Sequence, residues 1–171
     1  MAQRSVSSPS FTAGPFADTT ALTSGQYLAL QGVTSIQTAG YRLVVQEIYL
    51  GGQAPTVSSP MYMVFARSST VGATLSLAGS AKDAVTAGEA ATGTAQGYNT
   101  ATTAPQRSAT LGLLNMSFNA FGGISKWQSP QIPGKVITVI GIGAVVGDAT
   151  LSNFTGGTSA LVGGHIIYEQ S

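Results

Sequence analysis

The chain has no cysteine, and only 8% of its 171 residues are charged. The first absence excludes a disulfide framework and any thiolate zinc site, so nothing points to an oxidising compartment. The second is unusual, because an ordinary soluble domain carries about 25% Asp, Glu, Lys and Arg. With a formal net charge of +1, there is no electrostatic basis for a nucleic-acid or anionic-membrane partner. A single histidine, His165, cannot build a His-rich metal site within one chain. No apolar run reaches the roughly 20 residues of a membrane-spanning helix; the longest covers residues 136–147. The opening MAQRSVSSPSF lacks the apolar core of a signal peptide, so the expectation is a protein made in a cytoplasm and not exported by that route.

Small polar residues fill the space that charge leaves. Ser and Thr together number 39, and Gly adds 22. Mixed surface charge is what ordinarily keeps domains apart in solution. Two resolutions stand open: other subunits cover much of the surface, or Ser, Thr, Asn and Gln solvate it.

Length and composition predict one domain with a core of its own. Residues 1–25 are rich in Ser, Pro and Gly and read as an extended N-terminal arm, whose only aromatics, Phe11 and Phe16, either anchor it to a neighbour or fold back onto their own domain. Residues 26–171 read as the folded domain. Strand-like runs fall at residues 26–30, 33–37, 41–50 and 61–67, the first two separated by Gln31-Gly32 as a tight turn and the third stopped by Gly51-Gly52. Apolar residues on both faces of these runs predict strands covered on both sides. An Ala/Thr/Gly-rich insertion occupies residues 68–110, with a weak strand at residues 73–77 and a short helix at residues 80–91 capped by Ser80. Further runs lie at residues 109–118, 135–149 and 159–170. The total is seven to nine short strands and at most one short helix, an all-β sandwich or barrel.

The stretch KVITVIGIGAVVGDA invites a dinucleotide reading, since β-branched residues run into Gly141, Gly143 and Gly147. The fingerprint G-x-G-x-x-G needs its third glycine where Val146 stands, and an amphipathic helix must come next. The chain instead continues as DATLSNFTGGTSALVGG, full of turn formers. The glycines therefore read as a bulge or a crowded packing site in a strand. His165 and Glu169, four apart, share one face of a strand; they form either a proton-shuttling pair or a His satisfied by some other neighbour. The six carboxylates are scattered singly, and there is no nucleophile elbow and no phosphate loop. The expectation is a protein that is not an enzyme and takes no cofactor or metal.

Charged and aromatic residues inside the strands are the candidate interface positions. Arg42 and Glu47, five apart, are expected on opposite faces of the most apolar strand, as interface ion-pair members or as edge residues in water. Trp127 in SKWQSP stands either as a stacking platform for a sugar or a neighbouring subunit, or as packing on its own domain.

The order of segments is itself informative: YRLVVQEIYLGGQA, MYMVFARSSTVGA, the small-residue insertion, LNMSFNAFGGISKWQSPQIPGKVITVIGIGA, and GGHIIYEQ. With Glu47-Ile48 before Gly51, the ARSSTVG strand end, and Lys126-Trp127 before Pro133-Gly134, the chain resembles small structural proteins of tailed-bacteriophage heads. The resemblance implies a β-sandwich of jelly-roll type that forms a homo-oligomer, a trimer by preference. It also implies binding to the major capsid protein or other virion subunits as a decoration, cement or minor head protein, after assembly in the bacterial cytoplasm. No catalytic residue comes with it. The arm (residues 2–25) and Phe11, Phe16, Arg42, Glu47 and Trp127 are then the expected contacts. A carbohydrate-binding or adhesin-like β-sandwich is the alternative, and an enzyme with a dispersed site the third.

Overall fold

In the computed structural model the described residues are 2–7, 11–12, 27–32, 43–53, 60–70, 76–78, 80–81, 93–98, 106–107, 113–119, 121–133, 135–139, 149–155 and 161–170. Among them there is no helix. Fourteen strands run in chain order: β1 (Ala2–Ser7), β2 (Phe11–Thr12), β3 (Tyr27–Gly32), β4 (Leu43–Gln53), β5 (Pro60–Thr70), β6 (Ser76–Ala78), β7 (Ser80–Ala81), β8 (Gly93–Tyr98), β9 (Gln106–Arg107), β10 (Leu114–Asn119), β11 (Phe121–Gln128), β12 (Ile137–Val139), β13 (Ala149–Thr155) and β14 (Leu161–Gln170). The fold is all-β, as the sequence predicts, but with more strands than the expected seven to nine.

They form two seven-stranded sheets in which every pairing is antiparallel. The first follows β11-β4-β14-β1-β7, with β12 beside β4 and β2 beside β14; the second follows β10-β5-β13-β3-β8-β6, with β9 beside β5. β10 and β11 are consecutive yet belong to different sheets, and β4 contacts β10 while β12 contacts β3. Among the residues whose burial is described, the core lies on one face of the first sheet: Leu43, Val45, Ile48 and Leu50 from β4, Ile137 from β12, and Ile166 and Tyr168 from β14. Phe65 and Met116 are its buried counterparts in the second sheet. Fully burying each such side chain stabilises the fold by about 1.5–3 kcal/mol before entropy is counted.

β4 departs from the expectation of two covered faces. Its buried residues are 43 and 45, then 48 and 50, while 44, 46, 47 and 49 are half-buried. The phase slips by one because the pairing with β14 jumps from Glu47↔Ile167 to Val45↔Tyr168, leaving Gln46 without a partner. A β-bulge thus explains the broken alternation, since an extra residue flips the faces. Leu43 and Ile48 are five apart and both lie on the buried face, so spacing parity does not carry across this point.

Other boundaries also move. Gly51-Gly52 does not stop β4, because Gly51 and Gly52 pair with Gly163 and Val162 of β14. Gln31-Gly32, expected as a turn, ends β3 opposite Thr94 and Gly93, and residues 33–37 lie outside the described residues. Ser80 does not cap a helix: Ser80 and Ala81 form β7 opposite Ser5 and Arg4, and residues 82–91 lie outside the described residues. The weak strand expected at residues 73–77 lies at Ser76–Ala78, and the same insertion also supplies β7, β8 and β9. The start of the expected arm is a strand inside the sheet, flanked by β14 and β7, with Arg4 and Ser5 buried. Gly141, Gly143 and Gly147 lie outside the described residues. The segment that a dinucleotide site would need as a helix begins at Ala149 as strand β13, antiparallel to both β3 and β5.

Candidate functional site

The face of the first sheet opposite the core gathers most of the polar side chains that the structure brings together. Residues directly opposite in antiparallel strands share a face, so Gln128, Lys126 and Ile124 of β11 line up with Glu47, Tyr49 and Gly51 of β4. Those in turn line up with Ile167, His165 and Gly163 of β14.

At the centre is Glu47. Its Oε2 accepts a hydrogen bond from the Tyr49 hydroxyl, and its Oε1 lies 3.2 Å from Lys126 Nζ. The same ammonium sits 5.1 Å from the Tyr49 ring centroid, a cation–π arrangement. The Tyr49 hydroxyl above all holds the Glu47 carboxyl below its ordinary pKa; desolvation, the next largest effect, opposes it, and Lys126 adds to the lowering. Hydrogen bonding to Tyr49, then to Glu47, raises Lys126. Both shifts favour the charged forms, so the two groups keep their charge around pH 7.

The bulge residue Gln46 organises the chain beyond β11. Its carbonyl accepts the Ser129 amide at 2.8 Å, its Oε1 accepts from Gln131 Nε2, and its Nε2 donates to Glu169 Oε2 at 2.9 Å. Gln131 takes a left-handed backbone (φ 56°), and its amide reaches Ser129 Oγ at 3.4 Å.

Beside this network lies a hollow of about 290 Å³ lined by Tyr49, Leu50, Gly51, Ile124, Gly163, Gly164 and His165. Its floor is low because Gly51 and Gly163 face each other across the ladder without side chains. The His165 ring stands 6.1 Å from that of Tyr49, tilted by 56°. Large apolar side chains stand in solvent in and after β11: Ile124, which walls the hollow, is 79% exposed, Phe121 56% and Ile132 48%.

Of the residues singled out in the sequence, Glu47 joins this network. Trp127 is half-buried opposite the fully buried Ile48, and so turns toward the core side. Phe11 lies in β2 opposite Val162; Phe16 and Arg42 lie outside the described residues. His165 and Glu169 share one face as expected, with Glu169 bonded to Gln46 and His165 against Tyr49. Sequence reasoning missed Gln46, Tyr49, Lys126 and Gln131 as one group. The slipped apolar phase around Gln46-Glu47 was the available signal. Among the described residues no three His, Cys, Asp or Glu side chains converge as a metal site, and no helix is long and apolar enough to cross a membrane.

Compared with protein-family models and with curated proteins, the sequence matches none.

Proposed function

We propose that this chain is a non-enzymatic structural protein of a tailed-bacteriophage virion, a capsid decoration, cement or minor head protein. On this reading its two sheets stack as a jelly-roll-like β-sandwich. It assembles in the host cytoplasm, associates with copies of itself, and binds shell subunits.

One observation carries the reading beyond the resemblance. Phe121, Ile124 and Ile132 stand exposed on and beside β11, and the only charge in that strand, Lys126, is neutralised by Glu47 of its own chain. Large apolar side chains left exposed on a charge-poor surface support a contact with other protein. The paired Glu47 and Lys126, fixed in charge, support recognition over acid–base chemistry. The carbohydrate-binding alternative has Trp127 and the tyrosines as its platforms; the Trp127 ring turns toward the side of Ile48, and Tyr49 is engaged with Glu47 and Lys126 of its own chain.

The test is co-sedimentation of the purified chain with empty tailed-phage shells stripped of their small head proteins. Saturable binding at a fixed ratio to the shell subunit is expected. Binding that saccharides compete away, or no binding to any such shell, overturns the proposal.

A further inference from the structure

Gln46 is the one residue of β4 that has no ladder partner on either side of the strand. On the β14 side the register skips it, from Glu47↔Ile167 to Val45↔Tyr168. On the other side β11 ends with Gln128 opposite Glu47, and β12 begins with Ile137 opposite Val45. β11 and β12 are therefore two halves of one edge, and residues 129–136 leave it and return to it across Gln46 alone. Compact loops with close ends are often functional, and bulges are retained features of a fold rather than defects. This loop begins on the bulge, since the amide of buried Ser129 donates to the Gln46 carbonyl at 2.8 Å. A turn follows, in which the Lys135 amide donates to the Ile132 carbonyl at 2.9 Å.

We infer that a relay of three side chains, Glu169 to Gln46 to Gln131, sets the shape of this loop. Its polarity follows from what each group can do. The Glu169 carboxylate only accepts hydrogen bonds, and its Oε2 takes one from Gln46 Nε2 at 2.9 Å. That turns the Gln46 amide so that Oε1 faces the loop, where it accepts from Gln131 Nε2. A donor at position 169 would reverse the Gln46 amide and set two amide NH2 groups against each other. Gln131 needs such a hold. Its backbone is left-handed (φ 56°), where a residue with a Cβ stays only if its surroundings over-determine it. Pro130 and Pro133 narrow the backbone nearby, but neither selects a positive φ at Gln131. The Gln131 amide reaches Ser129 Oγ at only 3.4 Å, near the limit of a hydrogen bond, so the relay supplies most of the hold. A residue of the last strand thereby governs a loop that begins next to β11.

The relay does not depend on the virion reading, and its failure would leave that reading where it stands. What it adds is that Ile132, an exposed apolar side chain next to Gln131, is presented to solvent in one orientation rather than many.

Amide hydrogen exchange followed by NMR on the full chain tests this, read at Ser129 and Lys135. The Leu113 amide, which donates to the Phe65 carbonyl of the second sheet at 2.7 Å, reports general stability. Glu169→Lys should speed exchange at Ser129 and Lys135 about threefold to tenfold, the equivalent of losing one hydrogen bond, and leave Leu113 unchanged. Glu169→Gln should stay near wild type, because its amide oxygen can still face Gln46. Gln131→Gly separates side chain from backbone, since glycine takes a positive φ without strain. Faster exchange in that variant is expected; exchange that holds or slows means the turn alone keeps the loop and overturns the inference. Wild-type rates in Glu169→Lys overturn it too. So does an equal rise at Leu113, which marks loss of the fold rather than release of the loop.

Discussion

Gly123 can be tested at the level of single atoms. It stands where β11 leaves the β10–β11 link, inside the register break between Phe121 and Ile124. A Cβ placed on it would lie 2.3 Å from the carbonyl oxygen of Asn119 and 3.0 Å from its amide nitrogen. Both are backbone atoms of the strand end from which the link departs, so no side chain can swing away. Overpacking typically costs about 1–3 kcal/mol, and a collision with backbone belongs at the top of that range. We expect Gly123→Ala to lose about 3 kcal/mol. For a chain of this size that corresponds to a fall in Tm of about 6–12 °C. Gly51→Ala is the internal control, because its Cβ would meet Ile124 Cγ1 at an ordinary 3.8 Å and should cost under about 1 kcal/mol. The assay is urea unfolding at matched protein concentration, which keeps any association term constant. A Gly123→Ala protein within about 0.5 kcal/mol of wild type, the scale of an ordinary surface change, would refute the reasoning, as would equal losses at both glycines.

The same geometry sets further outcomes. Phe65→Ala should cost about 3–5 kcal/mol, because the ring is fully buried and its removal leaves a cavity. Tyr168→Phe should leave stability unchanged or raise it in denaturant unfolding, since the hydroxyl is buried without a hydrogen-bond partner; burial also holds its pKa above 10.0, partly offset by Arg4. Glu47 has a lowered pKa, so its contribution to stability is present above the ordinary carboxylate value and is lost as pH falls through the folded one. Carboxyl NMR titration should show that depression, and Tyr49→Phe should largely abolish it. Deleting Ala2–Ser7 removes a strand holding buried Arg4 and Ser5, so it should destabilise the whole sheet in thermal unfolding rather than only weaken attachment to a partner.

The all-β class was legible because it rests on composition and turn chemistry, and β3, β5 and β14 fall close to the apolar runs that announced them. LNMSFN was readable in detail: Met116 is buried while Asn115 and Ser117 are exposed. The N-terminal segment misled because Ser-rich AQRSVS buries little apolar surface. It is held by backbone pairing to β14 and β7, which composition does not reveal. The small-residue insertion hid β7 to β9 for the same reason. The site was only partly visible. Glu47 stood out as a charge in an apolar run, but its partners Tyr49 and Lys126 are brought to it by a phase slip at Gln46 and a long-range pairing with β11. Local spacing cannot supply either. Taken as a bulge rather than as two covered faces, the break in alternation would have put Gln46 at the centre of attention.

The central claim is that other subunits cover this charge-poor surface. Light scattering on the full chain across a hundredfold dilution tests that most directly. A trimer or other closed oligomer whose mass holds through the dilution is the expected result. A monomer at every concentration would contradict the claim, because Ser and Thr alone would then be solvating the exposed Phe121, Ile124 and Ile132.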